Sequence, residues 1–250
     1  MTDYPIPFFL ASLLILWVAG QIGLYWRRKR PMNDEERADF AVVQGASLTL
    51  LGLIIGFSFS MALGRYDQRK NYEEAEANAI GTEYVRAGLL PAADASAVQA
   101  LLTKYTDLRI LYYETSEGDS LRKINADTAQ LQTQLWSAVQ VPVKAQQTPV
   151  MTLVASGMND VLNSQGYTQA AWWYRIPAEA WGLMLIIAIC CSISIGYATR
   201  TPKAKAGVLY ALPLVVSISL LLIADIDSPR GGLIHVVPQN LVSLSQSLPH

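Results

Sequence analysis

The chain predicts an all-α, four-span integral membrane protein whose helical soluble domain continues from span two. Three observations carry this. Four apolar stretches, about Pro7 to Trp26, Ala41 to Leu63, Ala178 to Thr199 and Gly207 to Ala224, each supply the roughly 20 residues that a membrane helix needs. None has an Asp, Glu, Lys or Arg in its central part. Eight of the nine lysines and arginines outside the middle of the chain sit in two short connections: Arg27, Arg28, Lys29, Arg30 and Arg37 after span one, and Arg200, Lys203 and Lys205 after span three. Such excesses mark cytoplasmic loops, and four spans put both clusters on one side. Finally, the region between spans two and three shows helical periodicity and no strand alternation. The expected division is 1–63 and 178–224 as transmembrane hairpins, 64–177 as a helical domain and 225–250 as a tail.

Span one lacks a basic region in front and carries its basic cluster behind, which reads as an uncleaved anchor rather than a signal peptide. Span two has no breaker at its end. Arg65 to Ala77 is compatible with a helix and pairs Arg69 with Glu73 and Lys70 with Glu74 at four-residue spacing. One helix near 70 Å long is therefore expected, at about 1.5 Å per residue, stopping at Gly88 and Pro91. Asp94 can cap a second helix through Val98, Leu102, Tyr105 and Tyr112. A third starts near Asp119, carries Ile124, Leu135 and Val139, and ends at Pro142. Pro149 opens a fourth through Met158 and Val161 to Gly166. Trp172, Trp173 and Tyr174 stand where an interfacial belt should precede span three, which makes the layer continuous with that span as well.

Composition narrows the partners. With 52% hydrophobic residues, 16% charged and a net charge of −1, the chain suits a lipid bilayer and not nucleic acid. Cys190 and Cys191 are adjacent and cannot staple a distant loop. His235 and His250, the only histidines, lie in the tail, no His/Cys cluster has metal-ligand spacing, and no phosphate loop occurs. Ser156-Gly157 lacks an oriented base, so no enzyme, metal or cofactor is expected.

Two features invite functional readings. In span two, Gly45, Thr49, Gly52 and Gly56 can share one face, which serves close helix packing. The same stretch suits a pore helix: Ser47, Thr49, Ser58 and Ser60 offer ion-solvating hydroxyls, and Phe57 or Phe59 would narrow a path shared by several subunits. At the end of span four, Asp225 sits at the edge of the apolar run with Asp227 and Arg230 beyond it, and a carboxylate there needs a partner or water. Arg65 or Arg69 can supply an ion pair that pins span four to the long helix. An ion-lining site and a solvated charge are the other readings. Along the long helix, Arg65, Arg69, Glu76 and Glu83 fall on one face, either solvated or forming charged rings around an axis.

The stretches Gly56 to Ala62, Arg65-Tyr66-Asp67, Glu76 to Thr82, Arg86 to Pro91, Ala224 to Asp227 and Pro229 to Ile234 resemble the bacterial bestrophin-like domain membrane proteins. The resemblance spans most of the chain. It implies a relation to bestrophins, pentameric anion channels with four spans per subunit and a large helical region between spans two and three. Two departures stand out: bestrophins hold that region in the cytoplasm whereas the basic loops here place it outside, and the acidic calcium-clasping run of animal bestrophins has no counterpart. The expected function is thus an oligomeric ion channel, anionic by resemblance, that self-associates through spans two and four and passes small inorganic ions. A non-conducting scaffold or sensor is the alternative, and an enzyme acting on lipid the third reading. The expected site is the bacterial inner membrane, with both termini and 64–177 extracytoplasmic.

Overall fold

In the computed structural model, residues 5–199 and 206–248 are described, and eight helices account for nearly all of them: α1 (Pro5–Lys29), α2 (Asp34–Ala87), α3 (Ala92–Glu114), α4 (Gly118–Ala145), α5 (Pro149–Trp173), α6 (Ala178–Ala198), α7 (Ala206–Asp227) and α8 (Gln239–Ser247). Four helical stretches are long and apolar enough to cross a membrane. They contain the four expected spans. Arg200, Lys203, Lys205 and His250 lie outside the described residues.

The long helix α2 has 54 residues, about 80 Å at 1.5 Å per residue. It starts earlier than its apolar run because Asn33 caps it reciprocally: the Glu36 N–H donates to Asn33 Oδ1 at 2.7 Å, and the Asn33 N–H donates to Glu36 Oε2 at 3.1 Å. Asp34, Glu35 and Glu36 add negative charge to its positive end. At the other end Gly88, Leu89 and Leu90 bond back to the carbonyls three residues earlier and close the helix at the expected place.

Three expectations for the following helices need correction. Asp94 is not the cap of α3: the helix opens after Pro91, whose fixed φ suits that position, and Asp94 lies within the first turn. Pro142 does not end α4, which runs one more turn to Ala145 with Pro142 itself buried. Helix α5 passes Gly166 and reaches Trp173, its start capped by Thr148 Oγ1, which accepts from the Met151 N–H at 3.3 Å. A non-helical stretch, 174–177, then separates α5 from α6, so the layer is helically continuous with span two but not with span three. Pro177 precludes continuity, since a residue before proline is pushed out of the helical region.

The chain forms two compact units. One holds residues up to Arg65 together with Arg175–His235; the other holds Tyr66–Tyr174 and the chain from Val236 on. In the membrane unit α1 packs against α6 and α7. The closest crossing runs through glycines that the sequence reading passed over: a Cβ on Gly23 would overlap the Ile193 carbonyl, and one on Gly196 the Gly20 carbonyl. Small residues let membrane helices approach this closely. Beyond the crossing, Arg27 Nη1 donates to the Tyr197 carbonyl at 3.1 Å, and the Tyr197 hydroxyl donates to the Arg30 carbonyl at 3.2 Å.

The helical unit is built on Ile80, Val98, Leu102, Leu135, Met158 and Val161, all fully buried, with Tyr112, Tyr113 and Trp172 in mutual edge-to-face contact. Helix α8, within what is expected only as a tail, returns to this unit. Its Leu241 is buried, and Leu244 lies within 3.1 Å of a Cβ built on Gly81.

Candidate functional site

Helix α2 carries two opposite stripes along its length. The inward stripe runs Leu51, Ser58, Ala62, Arg69, Glu73, Glu76, Ile80, Glu83 and Ala87, all buried, at steps of seven and four residues as far as Arg69 and of three and four beyond it. The outward stripe runs Leu53, Phe57, Ser60, Gly64, Gln68, Asn71, Asn78 and Thr82, all exposed, at three- and four-residue steps apart from one longer gap that the exposed Glu74 and Ala75 fill. Apolar residues dominate it as far as Gly64 and amides and hydroxyls beyond.

The expected pore residues divide between these stripes. Phe57 is 65% exposed and Ser60 and Thr49 are exposed with it. The Thr49 hydroxyl donates to the Gly45 carbonyl at 2.9 Å, which leaves its oxygen lone pairs pointing outward as acceptors. Phe59 is half-buried on the flank. Ser58 is 4% exposed and points into the chain, away from any path along the outward face. Gly45, Gly52 and Gly56 do not mediate packing within the chain, for a Cβ on any of them would meet nothing within 4 Å.

The row of Arg65, Arg69, Glu76 and Glu83 turns into the fold and not onto an open face. Arg109, fully buried on α3, donates from Nε to Glu76 Oε1 at 2.5 Å and from Nη2 to Oε2 at 3.4 Å. The Tyr113 hydroxyl at 3.3 Å and the Thr168 hydroxyl at 3.1 Å complete the shell around the same carboxylate. Burial, the largest single influence, opposes the Arg109 charge, but the Glu76 charge and hydrogen bond, together with Tyr105 and Tyr113, outweigh it and hold the guanidinium above its ordinary value. Burial, and then the Glu76 charge, push the Tyr105 and Tyr113 hydroxyls up as well, so both stay protonated. One turn back on α2, Glu73 accepts from Asn240 Nδ2 at 2.6 Å and from the Leu241 N–H at 2.9 Å, which pins the start of α8.

Glu83 differs. It is fully buried against Gly157 of α5, where its carboxylate fills the place a Cβ would take, and neither oxygen has a hydrogen-bond partner. Burial raises its pKa from 4.5 to about 8, with Arg86 lowering it and Asp160 raising it by smaller amounts.

At the end of α7 the two aspartates have separate tasks. Arg65 Nη1 lies 3.5 Å from Asp227 Oδ1, and both Asp227 oxygens accept from the Ile176 N–H at 3.1 Å. Asp225 instead accepts from the N–H groups of Leu233 at 2.7 Å and Ile234 at 2.9 Å, folding the Gly231-Gly232 turn back on the helix. Arg230 is half-buried beside them. Among the described residues, no group of three or more His, Cys, Asp or Glu could hold a metal ion.

The profile of the bestrophin-like domain matches residues 8–241. The chain belongs to the bestrophin-like family. No curated protein matches it at significant similarity. Among solved structures, it is similar to a bacterial bestrophin homologue from Klebsiella pneumoniae, with 14% identity over 98% of this chain and 99% of that one and a TM-score of 0.64. A single-substitution variant of that homologue gives a TM-score of 0.68 at 12% identity, covering 96% of this chain and 98% of its own. At such identity the likeness shows the bestrophin fold. The bestrophin-like chain is therefore a membrane protein of that fold, and its embedded helices lie in lipid.

The residues missed by sequence reasoning are Gln68, Asn71 and Thr82 of the outward stripe and the partners Arg109, Tyr113 and Thr168. A signal was available for the stripe: Leu51, Ala62, Ile80 and Ala87 share the register of the charged row, and apolar anchors mark the buried side of a helix.

Proposed function

We propose that this bestrophin-like chain is one subunit of an oligomeric ion channel in the bacterial inner membrane, with α2 helices around the axis and their outward stripes facing it. The observation that carries this reading is the uncovered stripe itself. From Leu53 to Thr82 exposed residues recur along one side of α2, while buried residues recur along the opposite side, sparsely from Leu51 to Ala62 and at every turn from Arg69 to Ala87. Around an axis, Phe57 forms the constriction, Thr49 and Ser60 line the apolar stretch, and Asn71, Asn78 and Thr82 line the polar one. Phe59 backs the constriction from the flank. The permeant ion is an anion on this reading, since a Phe57 ring edge turned to the axis would offer it the positive part of the quadrupole. Arg65, Asp225, Asp227 and Arg230 fix the end of α7 and do not contact the ion. No catalytic step is assigned. The basic cluster after α1 places both termini and 64–177 on the extracytoplasmic side.

Liposome flux tests the reading. Purified protein reconstituted in phospholipid vesicles should release chloride faster than empty vesicles and faster than it releases potassium. Phe57→Ala should raise chloride release roughly two- to tenfold by widening the constriction. No release from folded, inserted protein would make the assembly a scaffold or sensor, and potassium release in excess of chloride would overturn the anion assignment.

A further inference from the structure

Helices α1 and α7 run side by side in opposite directions, and their seam is not closed. Pro5–Pro7 of α1 lie beside Ile218–Asp225 of α7 around a hollow of 480 Å³. Further along the same seam Leu10–Trp17 lie beside Tyr210 and Pro213 around a second hollow of 340 Å³. Both are walled by aliphatic and aromatic side chains. The one carboxylate at the wall, Asp225, accepts two backbone N–H groups.

Two features keep the seam open. Pro213 lies inside α7, where it lacks the N–H of a regular turn and its ring crowds the preceding turn. At the other end the 231–234 segment lines the first hollow and is tied to Asp225 through the Leu233 and Ile234 N–H groups. Gly232 is held against Asp225, where an added Cβ would come within 2.6 Å of the backbone oxygen and 2.7 Å of Oδ1.

An apolar furrow in a water-soluble protein would stay dry or be covered by protein. Here its walls are two membrane spans and the 231–234 segment, and Ile6, Leu10, Leu14, Ile218 and Leu222 along its rims are exposed, so its mouth is open on the apolar surface of the spans. The residues of α1 that line the two hollows run from Pro5 to Trp17, about 18 Å at 1.5 Å per residue. One leaflet of hydrocarbon is about 15 Å thick. Length, chemistry and position all fit one occupant.

We propose that the α1–α7 seam is a binding groove for a single phospholipid acyl chain, held more firmly than the surrounding lipid. The chain enters at the Asp225 end, the end nearer the membrane surface, and lies along Ile218, Leu14 and Tyr210 towards Trp17. The assignment does not depend on conduction, and it holds whether the assembly is a channel or a scaffold.

The test uses full-length protein in vesicles of phosphatidylethanolamine and phosphatidylglycerol that contain a phospholipid with a diazirine on its acyl chain. After photolysis, labelled peptides should concentrate in 5–17 and 210–234. After detergent extraction and gel filtration, phospholipid should remain with the protein in a fixed ratio. Ile218→Trp fills the first hollow and Leu14→Trp the second, and either should remove most of the retained lipid and of the seam label. Ile186→Trp, on an exposed part of α6, should change neither. Two variants at separate hollows guard against one failing to fold. No retained lipid in the unmodified protein, equal loss in the Ile186→Trp control, or label spread evenly over all exposed span faces would overturn the proposal. So would cross-linking of the seam to a second copy in place of lipid.

Discussion

Arg109→Ala should destabilise the helical unit by about 3–5 kcal/mol, the cost of removing one partner from a buried ion pair. Glu76 would keep its Tyr113 and Thr168 hydroxyl donors but lose the two guanidinium bonds, at a depth where no water reaches it. A buried carboxylate with half its shell gone must take up a proton or open the fold. The side chain also packs 4.3 Å from the Tyr112 ring centroid, so truncation leaves a hole in the aromatic cluster as well. The readout is the thermal midpoint of helix unfolding in detergent, with Arg109→Met plus Glu76→Leu as the comparison. The double change removes both charges and should recover most of the loss, since apolar replacement of a whole buried pair is often neutral or better. A loss under about 1 kcal/mol for Arg109→Ala would mean that the pair is solvated and that the unit is not packed as described.

The second large effect is a pH dependence set by Glu83. Its pKa is near 8 in the fold against 4.5 for a free side chain, so between those values the folded chain holds a proton that the unfolded chain has released. The group's contribution to stability is fully present below about pH 4.5 and is lost as pH rises through 8, with a slope of at most about 1.4 kcal/mol per pH unit. The groups facing it are Arg86 from its own helix and Asp160 from α5, of opposite effect, and burial outweighs both. Unfolding midpoints measured from pH 5 to pH 8 should fall with rising pH, by an amount on the order of a few kcal/mol. Glu83→Gln should flatten that part of the profile, because the amide fits the place of the protonated acid and does not titrate. A flat profile in the unmodified protein, or an unchanged slope in the Gln variant, would assign the carboxyl to a solvated position.

Much of this was legible in the residues, and the misses have physical reasons. The long helix announced itself because nothing between Asp34 and Ala87 breaks it. Its facing was harder, since a row of Arg65, Arg69, Glu76 and Glu83 ordinarily marks the solvated side of a helix. Here Glu76 finds its counter-charge in Arg109 and Arg65 in Asp227, both remote in sequence, so the row becomes the buried side. The span-two glycines drew attention through their spacing, yet the close crossing uses Gly20, Gly23 and Gly196, split between two helices with no local pattern. Helix α8 escaped because nine residues with Leu241 and Leu244 as anchors have no period to detect. Pro142 reads as a stop, but α4, docked on its neighbours along its length, carries one missing backbone bond in its last turns.

The most direct test of the channel account is cysteine substitution along α2, in a chain carrying Cys190→Ala and Cys191→Ala, with single-channel currents recorded before and after a charged thiol reagent. Phe57→Cys, Ser60→Cys, Gly64→Cys, Gln68→Cys and Asn71→Cys should all change conductance on modification, while Leu51→Cys, Ser58→Cys and Ala62→Cys should not. Block that follows the outward stripe at three- and four-residue steps places the ion path on that face. Currents insensitive at Phe57→Cys and Ser60→Cys but blocked at Ser58→Cys, or no current from inserted protein, would contradict it.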